Sequence, residues 1–239
     1  MIKTIQLLLG LSLTAFLLTA CSEDEGYTMP EKVEPTAVGV WVDERDGAEY
    51  EWVQYGNLQW MARNFRYNLN DKSMCADYRT DDEWINGWTE THSSKEHLVK
   101  YGYYYSLQGA LKACPEGWRL PTDQEWQQLE EIMGMSAGEA SGRGWRGNVA
   151  SNMLTTRDNA TSLNLLLGGW YTYNLSNSLN NGSNFRGSWA FYWTSTRDAD
   201  QDGELYMYRK LAFNQHGVYR HSMEGAMQLL SVRYVRDAK

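Results

Sequence analysis

Alternating apolar and polar positions near the start of the chain predict a β-meander. Val38–Val42 is an apolar run, and an Asp-Gly turn signal at positions 46 and 47 follows it. Ala48–Tyr55 then alternates between aromatic and acidic residues, as a half-buried strand does. A Gly-Asn pair turns the chain back into Leu58–Met61. We therefore expect three consecutive antiparallel strands.

Two helices are predicted in the middle of the chain. The first runs from about Ser106 to Ala113, because apolar residues recur there at helical spacing and Pro115 ends the pattern. The second runs from about Asp123 to Met133. Thr122 and Glu125 have the spacing of a capping box at its start.

The stretch between the two helices, ACPEGWRLPTDQEW, is predicted to be a tight structural corner. Its prolines and glycine exclude regular structure, and Trp118 and Trp126 are the expected core anchors. Residues 68–100 show little periodicity and predict a long loop that could carry a short helix. The C-terminal half consists of short apolar or alternating runs between Asn, Gly, Ser and Asp clusters, which is typical of strands. The expected fold class is α+β.

The composition fits one folded domain. The chain has 239 residues, 42% of them apolar, so it is long enough to bury a sizeable core. The formal net charge is −8. Because nucleic-acid-binding surfaces are basic, we expect no nucleic-acid partner.

The N-terminal sequence predicts an export signal that ends at a lipid attachment site. Lys3 precedes an apolar run, and residues 18–21, Leu-Thr-Ala-Cys, resemble the bacterial lipobox, in which a lipid is attached to the cysteine after cleavage. Residues 1–20 are therefore expected to be a signal peptide, and Cys21 is expected to anchor the protein in a membrane. A bare apolar helix that ends in a structural cysteine is the alternative.

The acidic segment after Cys21 suggests a cellular location for the protein. Residues 22–25, Ser-Glu-Asp-Glu, resemble the tag that directs many Bacteroidota lipoproteins to the outer face of the outer membrane. An ordinary acidic tether is the alternative. We expect residues 21–37 to be a flexible tether and residues 38–239 to be a single domain.

Four separated stretches resemble the Fibrobacter succinogenes major paralogous domain, a family of exported bacterial proteins. They are DGAEYEWVQYGNLQWMARNFRY, YGYYYSLQGALKACPEGWRLPTDQEWQQL, GSWAFYWTSTRD and SVRYVRD, in the order of the family. The RLPTDQEW segment is also similar to the formylglycine-generating enzyme family. The resemblance implies a C-type-lectin-like fold, in which two helices flank twisted antiparallel sheets, and it implies no established reaction.

The resemblance also raises the question of a disulfide. The last family motif usually ends in cysteine, where this chain has Tyr234, so Cys114 lacks the partner that lectin-like folds typically give it. Cys75 is the other cysteine of the expected mature domain. Because exported proteins often pair their cysteines, a Cys75–Cys114 disulfide is a hypothesis, with two free thiols as the alternative.

A short acidic loop is a candidate calcium site. Asp198, Asp200 and Asp202 occupy the first, third and fifth positions of a DADQDG segment, like the start of an EF-hand loop. Arg209 stands where such a loop needs its bidentate Glu. An acidic hairpin tip is the alternative reading. Calcium is the one cofactor that the sequence suggests.

The aromatic and Asn-rich segment from position 170 to position 189 is the candidate ligand-binding loop. Aromatic rings stack on sugars or anchor protein partners, and Asn side chains both donate and accept hydrogen bonds. A solvent-exposed loop with its tryptophans turned inward is the alternative. The candidate ligand-binding residues are Trp170, Tyr171, Tyr173, Asn184 and Trp189.

The sequence contains no recognisable catalytic constellation. It has no Gly-x-Ser-x-Gly segment and no Cys-His pair close in sequence. The Gly-rich GRGWRGN segment that begins at Gly142 lacks the Lys-Ser/Thr ending of a phosphate loop and predicts a turn. We therefore expect a cell-surface lipoprotein that binds a glycan or a protein without catalysis. An enzyme built on the formylglycine-generating-enzyme-like fold and a structural subunit of a surface assembly are the alternatives.

Overall fold

The computed structural model describes residues 28–77, 94–154, 163–173, 182–226 and 228–239, and this part of the chain is α+β. Its five helices are α1 Ser94–Tyr101, α2 Leu107–Ala113, α3 Asp123–Ile132, α4 Ala137–Ser141 and α5 Ala150–Met153. Its strands are β1 Ala37–Asp43, β2 Ala48–Tyr55, β3 Leu58–Met61, β4 Cys75–Ala76, β5 Tyr104–Tyr105, β6 Gly144–Arg146, β7 Trp170–Thr172, β8 Gly182–Asn184, β9 Trp189–Arg197, β10 Leu205–Ala212, β11 Val218–Glu224, β12 Gln228–Leu229 and β13 Val235–Asp237.

The predicted meander forms the first sheet, in the order β1-β2-β3-β13. The bounds of β2 and β3 are the predicted ones, and β1 is one residue longer at each end. The C-terminal strand β13 pairs antiparallel with β3, so that Val235 lies opposite Trp60. The first and last strands of the described chain therefore belong to one sheet.

The C-terminal half forms the second sheet, in the order β6-β11-β10-β9, with all neighbours antiparallel. Strand β6 lies in the Gly-rich segment around Trp145, for which the sequence predicted only a turn. The register places Trp145 opposite Tyr219 of β11, and Tyr219 opposite Lys210 of β10. Two smaller sheets, β12-β7-β8 and β4-β5, complete the described strands.

The two predicted helices are confirmed. In α3, the Thr122 hydroxyl accepts a hydrogen bond from the Glu125 amide, and the Glu125 carboxylate accepts one from the Thr122 amide, which is the capping box. Trp118 and Trp126 are buried, with 6% and 0% exposure, as expected of core anchors. The predicted long loop contains α1 and β4, and its residues 78–93 lie outside the described chain.

The segment before β1 is in contact with the domain. The Tyr55 hydroxyl donates to the Val33 carbonyl at 3.5 Å, and the Asn152 amide donates to the Glu31 carbonyl at 2.8 Å. Within the predicted tether of residues 21–37, Glu31 and Val33 therefore contact the domain, and Ala37 is the first residue of β1. Residues 21–27 and the signal peptide lie outside the described residues.

The hypothesised disulfide is not formed. Cys75 lies on β4 and its sulfur accepts a hydrogen bond from the Leu69 amide at 3.2 Å. Cys114 follows α2 and its thiol donates to the Trp118 carbonyl at 3.2 Å. Each sulfur is engaged with its own local backbone, so the two free thiols correct the disulfide hypothesis.

Helix α3 is fixed to the second sheet by a buried network of charges. Arg209 of β10 is fully buried and donates to Asp123 and to Glu130, each at 2.6 Å. Arg220 of β11 donates to the other Asp123 oxygen at 2.7 Å. Arg146 of β6 donates to Glu130 at 2.9 Å. Three strands therefore hold one helix through two of its acidic side chains, Asp123 and Glu130.

The network determines the ionisation of Asp123. Burial alone would raise the pKa of this carboxyl group. The hydrogen bonds and charges of Arg220 and Arg209 outweigh burial and lower the pKa to about 2. Asp123 therefore stays ionised and stabilises the fold above the pKa of an unfolded aspartate, near 3.8, and this contribution is lost as the pH falls through 2.

We expect Asp123→Asn to lower the free energy of unfolding by about 3–5 kcal/mol at pH 7, because Arg209 would stay buried with one carboxylate fewer. The variant should also lose less stability than the wild type between pH 4 and pH 2, about 2 kcal/mol less for a carboxyl shifted this far. Urea unfolding across this pH range measures both effects. The exposed Asp202→Asn is the control and should change stability by less than about 0.5 kcal/mol. A similar loss of stability in Asp123→Asn and Asp202→Asn would contradict the stabilising role of Asp123 in the buried network.

Candidate functional site

The second sheet has two different faces because side chains alternate along each strand. On β10, Arg209 and Leu211 point toward α3 and the core beneath it, where both are fully buried. Tyr208 and Lys210 lie on the opposite face, and Lys210 is only half-buried. The helix therefore closes one face, and the other is the candidate site.

Aromatic side chains from three strands meet on this opposite face. Trp145 of β6 packs edge-to-face on Tyr219 of β11, with ring centroids 5.2 Å apart. Trp189 of β9 stacks on Phe185 at 4.2 Å. The Lys210 ammonium lies between these two pairs. We refer to these five residues, Trp145, Phe185, Trp189, Lys210 and Tyr219, as the aromatic face.

The aromatic face is open to solvent. Among the tryptophans and phenylalanines of the described ranges, three are exposed, namely Trp145 at 39%, Phe185 at 37% and Phe213 at 68%. Phe213 follows β10, and its amide donates to the Ser188 carbonyl at 3.0 Å, beside Trp189. Two of the three exposed rings therefore belong to the aromatic face, and such a gathering of exposed apolar surface is a feature of binding sites.

Lys210 is surrounded by three rings of the aromatic face. Its ammonium lies 4.3 Å from the centroid of Tyr219, 4.8 Å from that of Trp189 and 5.1 Å from that of Trp145. These distances are within the range of cation–π attraction. Burial lowers the pKa of the Lys210 ammonium. Water is thus partly replaced around this charge by aromatic surface.

Two of the predicted ligand-binding residues, Trp170 and Trp189, pack against the same two phenylalanines, Phe185 and Phe191. Trp170 of β7 stacks on Phe191 at 4.7 Å and packs against Phe185 at 5.7 Å. Trp170 therefore extends the aromatic cluster behind Phe185. Asn184 lies opposite Trp170 on β8, and its amide donates to the Thr172 hydroxyl at 3.4 Å.

The structure places the neighbouring tyrosines away from the aromatic face. Tyr171 is only 3% exposed, stacks on Tyr104 within the core and lines a cavity of about 260 Å³. Tyr173 packs at the edge of the same small core cluster and lines a cavity of about 420 Å³ with Tyr206. Neither tyrosine belongs to the aromatic face. Residues 174–181 of the predicted loop lie outside the described chain.

The calcium prediction conflicts with the contacts of the acidic loop. Arg143 donates to both carboxylate oxygens of Asp198, at 2.7 and 2.8 Å, and to Asp200 at 2.9 Å. These hydrogen bonds, with a further one from Ser222, lower the pKa of Asp198. The guanidinium occupies the position that a cation would need between the two carboxylates. Asp202 lies exposed in the turn, and no metal-binding cluster of His, Cys, Asp and Glu occurs among the described residues.

Sequence reasoning missed most of the aromatic face. Trp145 stands in a segment that was interpreted as a turn, and Phe185 lies next to Asn184 within the candidate loop without being selected. Lys210 and Tyr219 lie on strands whose order in the sheet the sequence does not show. The alternation of Tyr206, Tyr208 and Lys210 along β10 was a usable signal, because it places them on one face.

Three cavities among the described residues, of about 260, 420 and 510 Å³, contain no histidine in their lining. The one of about 260 Å³ lies beside Cys75, with Asp71 and Lys72 in its lining. Burial raises the pKa of the Cys75 thiol, so this group stays protonated and is a poor nucleophile near neutral pH.

Comparison with known proteins gives one match. A family model described as the Fibrobacter succinogenes major domain matches residues 53–236, which is most of the chain. No curated protein and no solved structure matches the sequence. Within the described residues, none of the helices has the length and apolar character needed to cross a membrane.

Calcium should not stabilise this protein through the acidic loop, because Arg143 already neutralises Asp198 and Asp200. We expect the same melting temperature, within about 1 °C, in millimolar calcium and in chelator, since a ligand raises this temperature only by binding the folded state. Arg143→Ala should lower the melting temperature in both solutions, which would show that the ion pair itself matters. A wild-type increase of several degrees in calcium would contradict this expectation and support the calcium site.

Proposed function

The chain belongs to the Fibrobacter succinogenes major domain family, and for this member we propose non-catalytic binding of carbohydrate through the aromatic face. The observation that carries the proposal is the cluster of Trp145, Phe185, Trp189 and Tyr219 around Lys210 on one side of one sheet, with the rings of Trp145 and Phe185 exposed. Soluble proteins rarely leave such rings together in water without a ligand or partner for them.

The chemistry of the face suits a sugar. A pyranose ring presents C–H groups on one side, which pack on the flat face of Trp or Tyr, while its hydroxyl groups need polar partners. Rings and polar groups alternate here, since Lys210 lies among the three rings and His221 stacks on Tyr219 at 5.9 Å. A rigid sheet holds all of them, so little conformational entropy would be lost on binding.

A surface location is part of the proposal. Its support is the lipobox-like sequence that ends at Cys21 and the acidic residues that follow it. On this proposal the protein is a lipoprotein of the outer membrane, anchored by the lipid and facing outward. The order of strands and helices is compatible with a C-type-lectin-like domain, which we propose as the fold, with the ligand bound at a place that needs no calcium.

Loss of single rings should weaken binding while the fold persists. We expect Trp145→Ala and Phe185→Ala each to reduce affinity for a bound oligosaccharide at least tenfold, because each removes a stacking surface worth about 1–3 kcal/mol. A glycan array with the full-length chain in mild detergent identifies the oligosaccharide, and titration calorimetry then measures each variant.

Ile132→Ala is the matched control. Ile132 lies on α3, on the opposite side of the second sheet, and its 38% exposure is nearly that of Trp145. This variant should bind like the wild type. Equal affinity in Trp145→Ala and wild type would refute the aromatic face as the site. A blank array together with a protein captured at the same rings would replace carbohydrate by a protein partner.

A further inference from the structure

We propose that the aromatic face selects acidic saccharides, and that the Lys210 ammonium is the group that binds their carboxylate. The inference rests on the proposed function, since it names the class of sugar that the same face would take. A pyranose ring would stack on Trp145 or Trp189, and the carboxylate attached to that ring would lie against the ammonium between them.

The position of Lys210 is the first step. The residue lies on β10, one of the two inner strands of the second sheet, with Tyr219 directly opposite on β11 and Phe191 directly opposite on β9. Its ammonium is within 5.1 Å of three ring centroids. A cation is therefore placed among the stacking surfaces themselves, where a ligand that covers the rings must also meet the charge.

The second step is that Lys210 has no ion-pair partner among the described residues. Other cations of the described residues that are withdrawn from water have internal hydrogen-bond partners. The buried Arg233 donates to the Asn64 side chain and to backbone carbonyls, and others pair with carboxylates. Arg209 pairs with Asp123, Arg143 pairs with Asp198, and both of these carboxylates are nearly buried. No carboxylate of the described ranges lies within ion-pair distance of Lys210. Its hydrogen-bond donors are thus available to a group from outside.

The third step concerns the other charges on the face. Arg209 and Arg220 lie on the same strands but point to the opposite side, where Asp123 binds both. On the aromatic side the neighbour of Tyr219 along β11 is the exposed His221. The residues in direct register with Lys210 are aromatic and uncharged. The local charge is therefore positive, although the chain as a whole carries −8.

The fourth step is energetic. A fully exposed ion pair contributes little, but partial removal of water strengthens the attraction between a carboxylate and an ammonium. Bringing a carboxylate to Lys210 would compensate a charge whose pKa burial already lowers. A preference of about tenfold for the acid over its neutral derivative is the size expected of one such contact.

The test compares each acidic saccharide with its own methyl ester, so that only the charge differs. The probes are uronate- and sialate-bearing oligosaccharides, titrated into the full-length chain in mild detergent. We expect wild-type affinity for the free acid to exceed that for the ester about tenfold. In Lys210→Met, which keeps the length of the side chain without its charge, the affinity for the acid should fall to that for the ester.

Two further variants separate charge at the site from charge in general. Lys210→Arg should retain the preference for the acid. Lys112→Met removes an exposed lysine of α2, changes the net charge by the same amount and should also retain it. Higher salt should reduce the preference in wild type and leave Lys210→Met unchanged.

The outcomes distinguish this inference from the proposed function. Binding of neutral sugars that is lost in Trp145→Ala, with acids no better than esters, would leave carbohydrate binding intact and overturn the role of Lys210. A preference for acids that survives in Lys210→Met would also overturn it. No binding of any neutral or acidic saccharide would refute both proposals.

Discussion

Arg209 lies fully buried between Asp123 and Glu130, and this contact determines which side of the second sheet is closed. A buried guanidinium is costly to remove from water unless carboxylates satisfy it. Arg209 therefore requires α3, which supplies both carboxylates, on its own side of the sheet. Because side chains alternate along β10, the neighbours of Arg209 are directed to the opposite side, where Lys210 remains half-buried.

A second constraint ties the last strand to the helices. Tyr234 is fully buried, and its hydroxyl donates to the Ala110 carbonyl in α2. Its ring packs edge-to-face on Phe65 at 4.8 Å. Burial raises the pKa of the nearby Cys114 thiol to about 11, which keeps that sulfur protonated and unreactive. Packing and one hydrogen bond thus connect α2 to the C-terminal segment without a disulfide.

The parts of the fold that local patterns encode could be predicted. The meander and the capped helix α3 depend on alternation, turn residues and the spacing of Thr122 and Glu125, all within about ten residues. The aromatic face could not be predicted, because its residues come from β6, β9, β10, β11 and the segment between β8 and β9. Only the order of the strands brings them together. Even so, alternation within β7 indicates that Trp170 and Tyr171 point to opposite sides, so both could not belong to one surface.

The acidic loop and the aromatic face show opposite ways of placing a charge. Asp198 has the sequence spacing of a metal ligand, yet it forms an ion pair with Arg143, which is distant in sequence. This ion pair stabilises the carboxylate and occupies both of its oxygens. Lys210 belongs to no sequence motif that predicts a site. It lies half-buried among aromatic rings and forms no ion pair with a carboxylate of the described residues. An unpaired charge withdrawn from water lowers the stability of the protein, and such costs are typical of functional sites. Because the chain is acidic overall, an anionic ligand would gain little attraction at long range and would be recognised mainly on contact with Lys210.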